Sequence, residues 1–458
     1  MVEQSFQASL THTARKALSL LLTVSISLVG ILVTPPAAQA AEIAHSFTEV
    51  TAPQSTTLGT PVDITGATIA SSFFVAGKKY LIVTQAIFNV DNVNGEGRVF
   101  TLHGTSVSFD GINSNMHLEP NQTSDYASYS FMAIWTAISG EGIKMQFASD
   151  GTNITTVDQI TLFAMNLSDD LTENTDWLSS TVATSTNLST AWSTSNNASV
   201  TFTPAAGTDW LVLANSTLTG NDGANNFESR INSSGTYTET VPFHSQEGEL
   251  TTGTWIFRNA RVFTALGAIS QTFTEQSRVD AGSATGPRHR SVIFALNLNK
   301  FKEHASVWTE ALLDIAATPN FDTNTATVSM TPSVAGNVWA SYTHTFNADA
   351  AGQSARIRLQ VDNADQPDTQ TSDAQLEGSA NDPTDEIFLH RQSVDSVTAT
   401  SHTWDVDASC ETAAAGRGVR HRSLWAVTME LAGGAPPPTK PSKLPLLGVG
   451  AILVSRWR

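Results

Sequence analysis

Residues 198–213 read ASVTFTPAAGTDWLVL, and residues 326–342 read ATVSMTPSVAGNVWASY. In both, small polar and apolar residues alternate up to a proline, Pro204 or Pro332, which is the period of a half-buried strand. A glycine then precedes an aromatic by three positions, Gly207/Trp210 and Gly336/Trp339, and each pair opens a second strand-like run. The same pair occurs earlier as Gly77/Tyr80, so the motif recurs with a nearly constant period of about 130 residues. Upstream of that first pair only Ala67-Thr68-Ile69 and Phe73-Phe74 survive.

Further landmarks recur on either side. A loop rich in Asn, Asp and Gly leads into Arg98-Val99, Arg230-Ile231 and Arg356-Ile357, and Glu119, Glu247 and Glu377 precede apolar runs at 131–138, 255–263 and 387–394. The tetrads Arg288-His289-Arg290-Ser291 and Arg420-His421-Arg422-Ser423 lead into closing runs at 292–298 and 424–431. The first copy closes with residues 160–167, but where the tetrad would stand it reads Asn153-Ile154-Thr155-Thr156-Val157-Asp158. Trp177 and Trp308 fall at equivalent positions between copies. Landmarks sharing one spacing indicate a threefold duplication. Because the period far exceeds the roughly 20–50 residues of solenoid units, each copy reads as an independently folding domain.

Short runs rich in Thr, Val, Ile, Phe and Trp alternate with turn-forming clusters, and almost no helical periodicity interrupts them. The expected fold is therefore all-β. About eight strands in about 130 residues suits a jelly roll better than a seven-strand immunoglobulin-like domain, which gives three tandem antiparallel β-sandwiches. Their expected bounds are 41–170, 171–302 and 303–434. One short helix is predicted over Glu303–Ala316, with Trp308, Leu312 and Ile315 on one face.

Residues 1–40 carry Arg15-Lys16, an apolar run from Ala17 to Val33, Pro35-Pro36 and the triplet Ala38-Gln39-Ala40. That order predicts a secretory signal peptide cleaved after Ala40. At the other end, 435–458, a Pro-rich linker leads to apolar Leu444–Val454 and the basic terminus Arg456-Trp457-Arg458. This tail resembles the C-terminal sorting signals handled by bacterial exosortase- or rhombosortase-type systems, although it lacks a Pro-Glu-Pro triplet. The resemblance implies a cell-surface or extracellular address with transient membrane attachment through the tail. The apolar stretch reaches only about 17 Å as a helix, short of a bilayer core of about 30 Å.

The 458 residues carry a formal net charge of -18. Residues 1–40 contribute +1 and 435–458 contribute +4, which leaves -23 on residues 41–434. Such a body repels nucleic acid and anionic surfaces and offers oxygen ligands to hard cations. Cys410 is the one cysteine, so neither an intramolecular disulfide nor a thiolate zinc site is available. No G-x-S-x-G elbow, H-E-x-x-H pair or phosphate-binding glycine loop is present.

Three groups of residues carry candidate chemistry. Arg288, His289 and Arg290, with Arg420, His421 and Arg422, read either as a clamp for anionic ligands or as strand-entry ion pairs to Asp280 and Asp407. Trp177, Trp192 and Trp308 sit in polar spacers and suit sugar stacking or packing between domains, whereas Tyr80, Trp210 and Trp339 read as core. Asp91, Asn94 and Glu96, with Asn221, Asp222 and Asn225, can wrap calcium or simply form turns; Asp349 and the acid-rich stretch Asp362 to Glu386 are further loci. Apart from calcium no cofactor is implied. The first expectation is an exported, non-enzymatic structural or adhesion protein whose partner is an extracellular glycan or a neighbouring surface protein. Its alternatives are a polysaccharide-binding array and a carbohydrate-active enzyme carrying ancillary β-domains.

Overall fold

The computed structural model describes residues 41–433 except 92–94, 119–125, 193–196, 221–224, 235–243, 249–252, 280–287, 312, 316–322, 348–350, 366–373, 378–385 and 411–417. Both terminal segments, the expected signal and the sorting tail, lie outside the described residues. The fold is all-β.

The first copy contributes β1 (His45–Val50), β2 (Val62–Ile69), β3 (Lys79–Val90), β4 (Gly97–His103), β5 (Met116–Leu118), β6 (Tyr126–Thr136), β7 (Ile143–Ser149) and β8 (Thr155–Asn166). The second contributes β9 (Trp177–Asn187), β10 (Ser199–Phe202), β11 (Thr208–Gly220), β12 (Asn225–Ser234), β13 (His244–Gly248), β14 (Gly253–Leu266), β15 (Gln271–Val279) and β16 (Arg288–Asn297). The third contributes β17 (His304–Thr309), β18 (Thr323–Met330), β19 (Gly336–Asn347), β20 (Ala351–Val361), β21 (Ala374–Glu377), β22 (Glu386–Val397), β23 (His402–Cys410) and β24 (Gly418–Thr428).

Each copy splits into two antiparallel sheets in one order. One sheet of the first copy runs β1-β8-β3-β6 and the other β2-β7-β4-β5; the second copy repeats this as β9-β16-β11-β14 and β10-β15-β12-β13, and the third as β17-β24-β19-β22 and β18-β23-β20-β21. First strand beside last and second beside seventh is the double Greek key of a jelly roll. The linker helix expected over Glu303–Ala316 is instead β17, which pairs with β24 from His304↔Val427 to Trp308↔Ser423 and Thr309↔Arg422. A strand wins there because the open edge of β24 offers a full ladder of partners.

The alternation read at 326–330 is seen in β18, where Ala326, Val328 and Met330 are buried and Thr327 and Ser329 are exposed. The runs after each aromatic behave differently. From Tyr80 to Phe88 in β3 no residue is exposed to solvent, so both faces of that sheet are covered. One face packs into its own sandwich. The other packs on the neighbouring copies.

That second packing joins the copies. Glu42–Gly433 forms one compact unit, and a continuous apolar core draws Leu81, Phe163 and Met132 from the first copy, Leu211, Leu213 and Phe294 from the second, and Trp339, Trp425 and Val427 from the third. Phe163 stacks on Trp339 across the joint at 4.2 Å between ring centroids, and Trp425 meets Trp339 edge-on at 4.5 Å. The strands also close a cycle. β5 of the first copy pairs with β14 of the second through Thr254↔His117, β13 of the second lies beside β22 of the third, and β21 of the third lies beside β6 of the first. Three heterologous contacts of one kind close into a ring, so the chain has a pseudo-threefold axis. The independence expected of the copies gives way to this shared core.

Candidate functional site

A common register identifies which residues meet at that axis. Asn166, Asn297 and Thr428 each donate a backbone N–H to the carbonyl just before the first strand of their copy, at Ala44, Asp176 and Glu303 (2.8, 2.8 and 3.0 Å). They pair with Tyr80, Trp210 and Val338. Five positions further along those strands stand Gln85, Asn215 and Thr343, whose cross-strand partners are Ser130, Arg258 and His390. Together they occupy two sets of equivalent positions.

All of them are buried, none more than 1% exposed, and hydrogen bonds between copies link them. His390 takes Ser130 Oγ at 3.2 Å on Nδ1 and Ser341 Oγ at 2.8 Å on Nε2, while Arg258 Nη2 donates to Ser341 Oγ at 3.2 Å. Asn215 Oδ1 accepts the N–H of Met132 at 3.1 Å, and Gln392 Nε2 donates to Thr161 Oγ1 at 2.9 Å, so each copy reaches a neighbour. Arg391 donates to Gln159 Oε1 and to the carbonyl of its neighbour His390 (3.1 Å). Burial, followed by the nearby charges of Arg258 and Arg391, holds the His390 imidazole well below its ordinary pKa and keeps it neutral.

The balance of this interior is uneven. Among the described residues, Nε and Nη1 of Arg258, Nδ2 of Asn215 and both amide atoms of Gln85 have no hydrogen-bond partner, and burial pulls the Arg258 guanidinium below its usual range. A buried charge left without a partner costs about 3–5 kcal/mol, so unmet donors of this kind call for an explanation.

The residues singled out in the sequence lie elsewhere; among those described, Trp308 and His421 are brought side by side. Trp177 is buried to 1% exposure, donates from Nε1 to the Leu167 carbonyl at 3.1 Å and packs near Phe294; of the two readings offered for it, packing is the one that this core position fits. Trp192 is half-buried, with the guanidinium groups of Arg230 and Arg278 over its ring at 4.1 and 4.5 Å. Trp308 is also half-buried, at the joint of the second and third copies, beneath Arg261 at 4.5 Å and beside His421 at 6.5 Å. Tyr80, Trp210 and Trp339 are core residues.

Of the basic tetrads, His421 and Arg422 are buried and Arg290 is half-buried. Arg422 donates to the carbonyls of Thr325 (2.6 Å) and Ala311 (3.3 Å), tying β24 to β18 and to the connection before it. Asp407, the acid expected beside this tetrad, pairs with Arg358 at 2.8 Å. The side chains of Arg288, His289 and Arg420, with Asp280, lie outside those described. In the first copy the turn before the closing strand is held by local hydrogen bonds: Asp150 Oδ1 accepts from Thr152 N, Thr152 Oγ1 and Asn153 N (2.7, 2.9 and 2.8 Å). Burial opposes ionisation of Asp150, yet the donors of Thr152 and Asn153 together hold its carboxyl well below the usual range.

Among the calcium candidates, Asp91 accepts the N–H of Ile154 at 2.7 Å, and Glu96 pairs with Arg98 (2.9 Å) and His117 (3.5 Å). Asp362 accepts from Thr403 N (2.9 Å) and His402 Nδ1 (2.6 Å). Asn94, Asn221, Asp222 and Asp349, and the side chains of Asn225 and Cys410, lie outside those described. Among the described residues no three His, Cys, Asp or Glu side chains converge on a position for a metal ion.

The axial residues were missed in the sequence. Their signal was a polar side chain inside an apolar run: Arg258 and Asn259 within 255–263, His390, Arg391 and Gln392 within 387–394, and Gln85 soon after Tyr80.

No protein family and no curated protein matches this chain. Among solved structures, the chain is similar to an N-glycanase F (PNGase F) at 10% identity and a TM-score of 0.29, over 55% of this chain and 96% of that one. A structure of PNGF-II aligns at 8% identity and a TM-score of 0.26, covering 77% and 99%. A structure of Sulfolobus turreted icosahedral virus aligns at 11% identity and a TM-score of 0.17, covering 87% and 98%. At these values the likenesses carry no argument about what this chain does.

Proposed function

We propose that this chain is an exported structural or adhesive protein of the cell surface, acting as one rigid three-cornered block. The observation that carries the reading is the closed cycle of β5/β14, β13/β22 and β21/β6 contacts around a shared core. Three sandwiches locked by their sheets resist relative motion, whereas inter-domain motion is the default for modules joined only by linkers. A block of this rigidity suits display toward a neighbouring surface protein or glycan. The acidic body and the signal-like and sorting-like ends support the address.

Surface labelling of intact cells with a membrane-impermeant reagent, followed by fractionation, tests this proposal. The chain is expected in the labelled surface or extracellular fraction with its N-terminal segment, through Ala40, removed. Recovery of unlabelled, full-length chain in the cytosol would overturn it.

A further inference from the structure

The axis where the three copies meet gathers donors that its own acceptors do not satisfy. Arg258 brings one positive charge, with Nε and Nη1 unpartnered, and Asn215, its cross-strand neighbour, brings an unpartnered Nδ2. Gln85, at the equivalent position of the first copy, brings an unpartnered carboxamide. Arg258, Asn215 and Gln85 are all 0% exposed. His390 is held neutral between two serine hydroxyls and supplies no counter-charge, and Ser341 already serves both His390 and Arg258.

A water molecule would satisfy hydrogen bonds there but not the charge. A guanidinium cannot shed its proton in a protein, so neutrality at this depth has to come from outside the side chain. Among the described residues Arg258 forms no ion pair with a carboxylate: Nη2 donates to Ser341 Oγ, and Nε and Nη1 find no acceptor. We propose that the pseudo-threefold axis holds one small monovalent inorganic anion, of halide size, bound by Arg258 with the carboxamides of Asn215 and Gln85. One uncompensated charge calls for one negative charge, and full enclosure excludes bulky anions. The donors come from the first and second copies, and Ser341 and His390 of the third orient Arg258, so the anion would act as a rivet for the ring.

The test uses the whole chain. Its Tm is followed as sodium chloride replaces sodium gluconate at constant ionic strength, gluconate being too large to enter. A saturable rise of about 2–5 °C is expected, because an ion bound only by the folded state stabilises it by mass action. Arg258→Met should abolish the rise, and crystals grown in bromide should show an anomalous peak beside Nε and Nη1 of Arg258. Ordered water without an anomalous peak, or an equal chloride response in Arg258→Met, would overturn the proposal. Should that variant fail to fold, Gln85→Leu keeps the charge and removes one donor. It should weaken the chloride midpoint by about tenfold, and an unchanged midpoint would count against the site.

Discussion

Asp395 shows how a single half-buried group shapes the behaviour of the block. Its carboxyl is raised from 3.8 to about 6: burial pushes it up, hydrogen bonds from Ser393 and Trp404 pull it partly back, and the charge of Glu49 in the first copy adds to the rise. A raised folded-state pKa means that the favourable contribution is fully present below about pH 4 and is lost as pH rises through about 6. A rise of this size corresponds to about 2–3 kcal/mol. Asp395→Asn is therefore expected to raise the urea midpoint at pH 8 and leave it almost unchanged at pH 4. An equal gain at both pH values would contradict this. Arg422 gives the opposite kind of prediction: replacing it with Met removes the donors to Thr325 and Ala311 and should cost about 2–4 kcal/mol in urea unfolding at neutral pH. A loss below about 0.5 kcal/mol, the usual ceiling for surface changes, would show that the clamp is idle.

At the scale of the strand, the spacing of the repeats carries more than it first shows. Tyr80 and Trp210 lie one full period apart, and both take the position paired with the last residue of the closing strand (Asn166, Asn297). Trp339 sits one place out of step with them, because the residue in the equivalent position is Val338. A shift of one place turns a side chain to the other face of its sheet. Val338, Ala340 and Tyr342 accordingly fill the third sandwich, while Trp339 points out of it onto Phe163 of the first copy. Trp339→Ala should thus cost about 3–5 kcal/mol and loosen the joint between copies. Trp192→Ala, at a half-buried ring capped by two arginines, should cost roughly 1 kcal/mol. The two losses are read from paired urea curves, and a reversed order would refute the placement. The all-β sandwich fold was legible because period-2 alternation and turn clusters are local signals. The joint was not read, although unbroken runs such as Tyr80-Leu81-Ile82-Val83 and Trp210-Leu211-Val212-Leu213 lack the polar alternates that a solvent-facing sheet would need.

For the whole molecule, a repeat of this length suggested separate domains because nothing in one copy names the surface it rests on. Complementarity between copies depends on residues far apart in the chain, such as Arg258 with Ser341, Met132 with Asn215 and Ser130 with His390. No periodicity reports such pairs. The axial polar set was unreadable for the same reason, since Arg258 and His390 look like isolated interruptions until the ring closes. If the closed ring is the defining property, the body 41–434 should unfold as a single unit, because exposing the outer face of any one sheet uncovers the core of the other two. Differential scanning calorimetry of that fragment measures this most directly. A closed ring predicts a single transition whose calorimetric and van't Hoff enthalpies agree. Two or three separable transitions, each unmoved by Trp339→Ala, would contradict it.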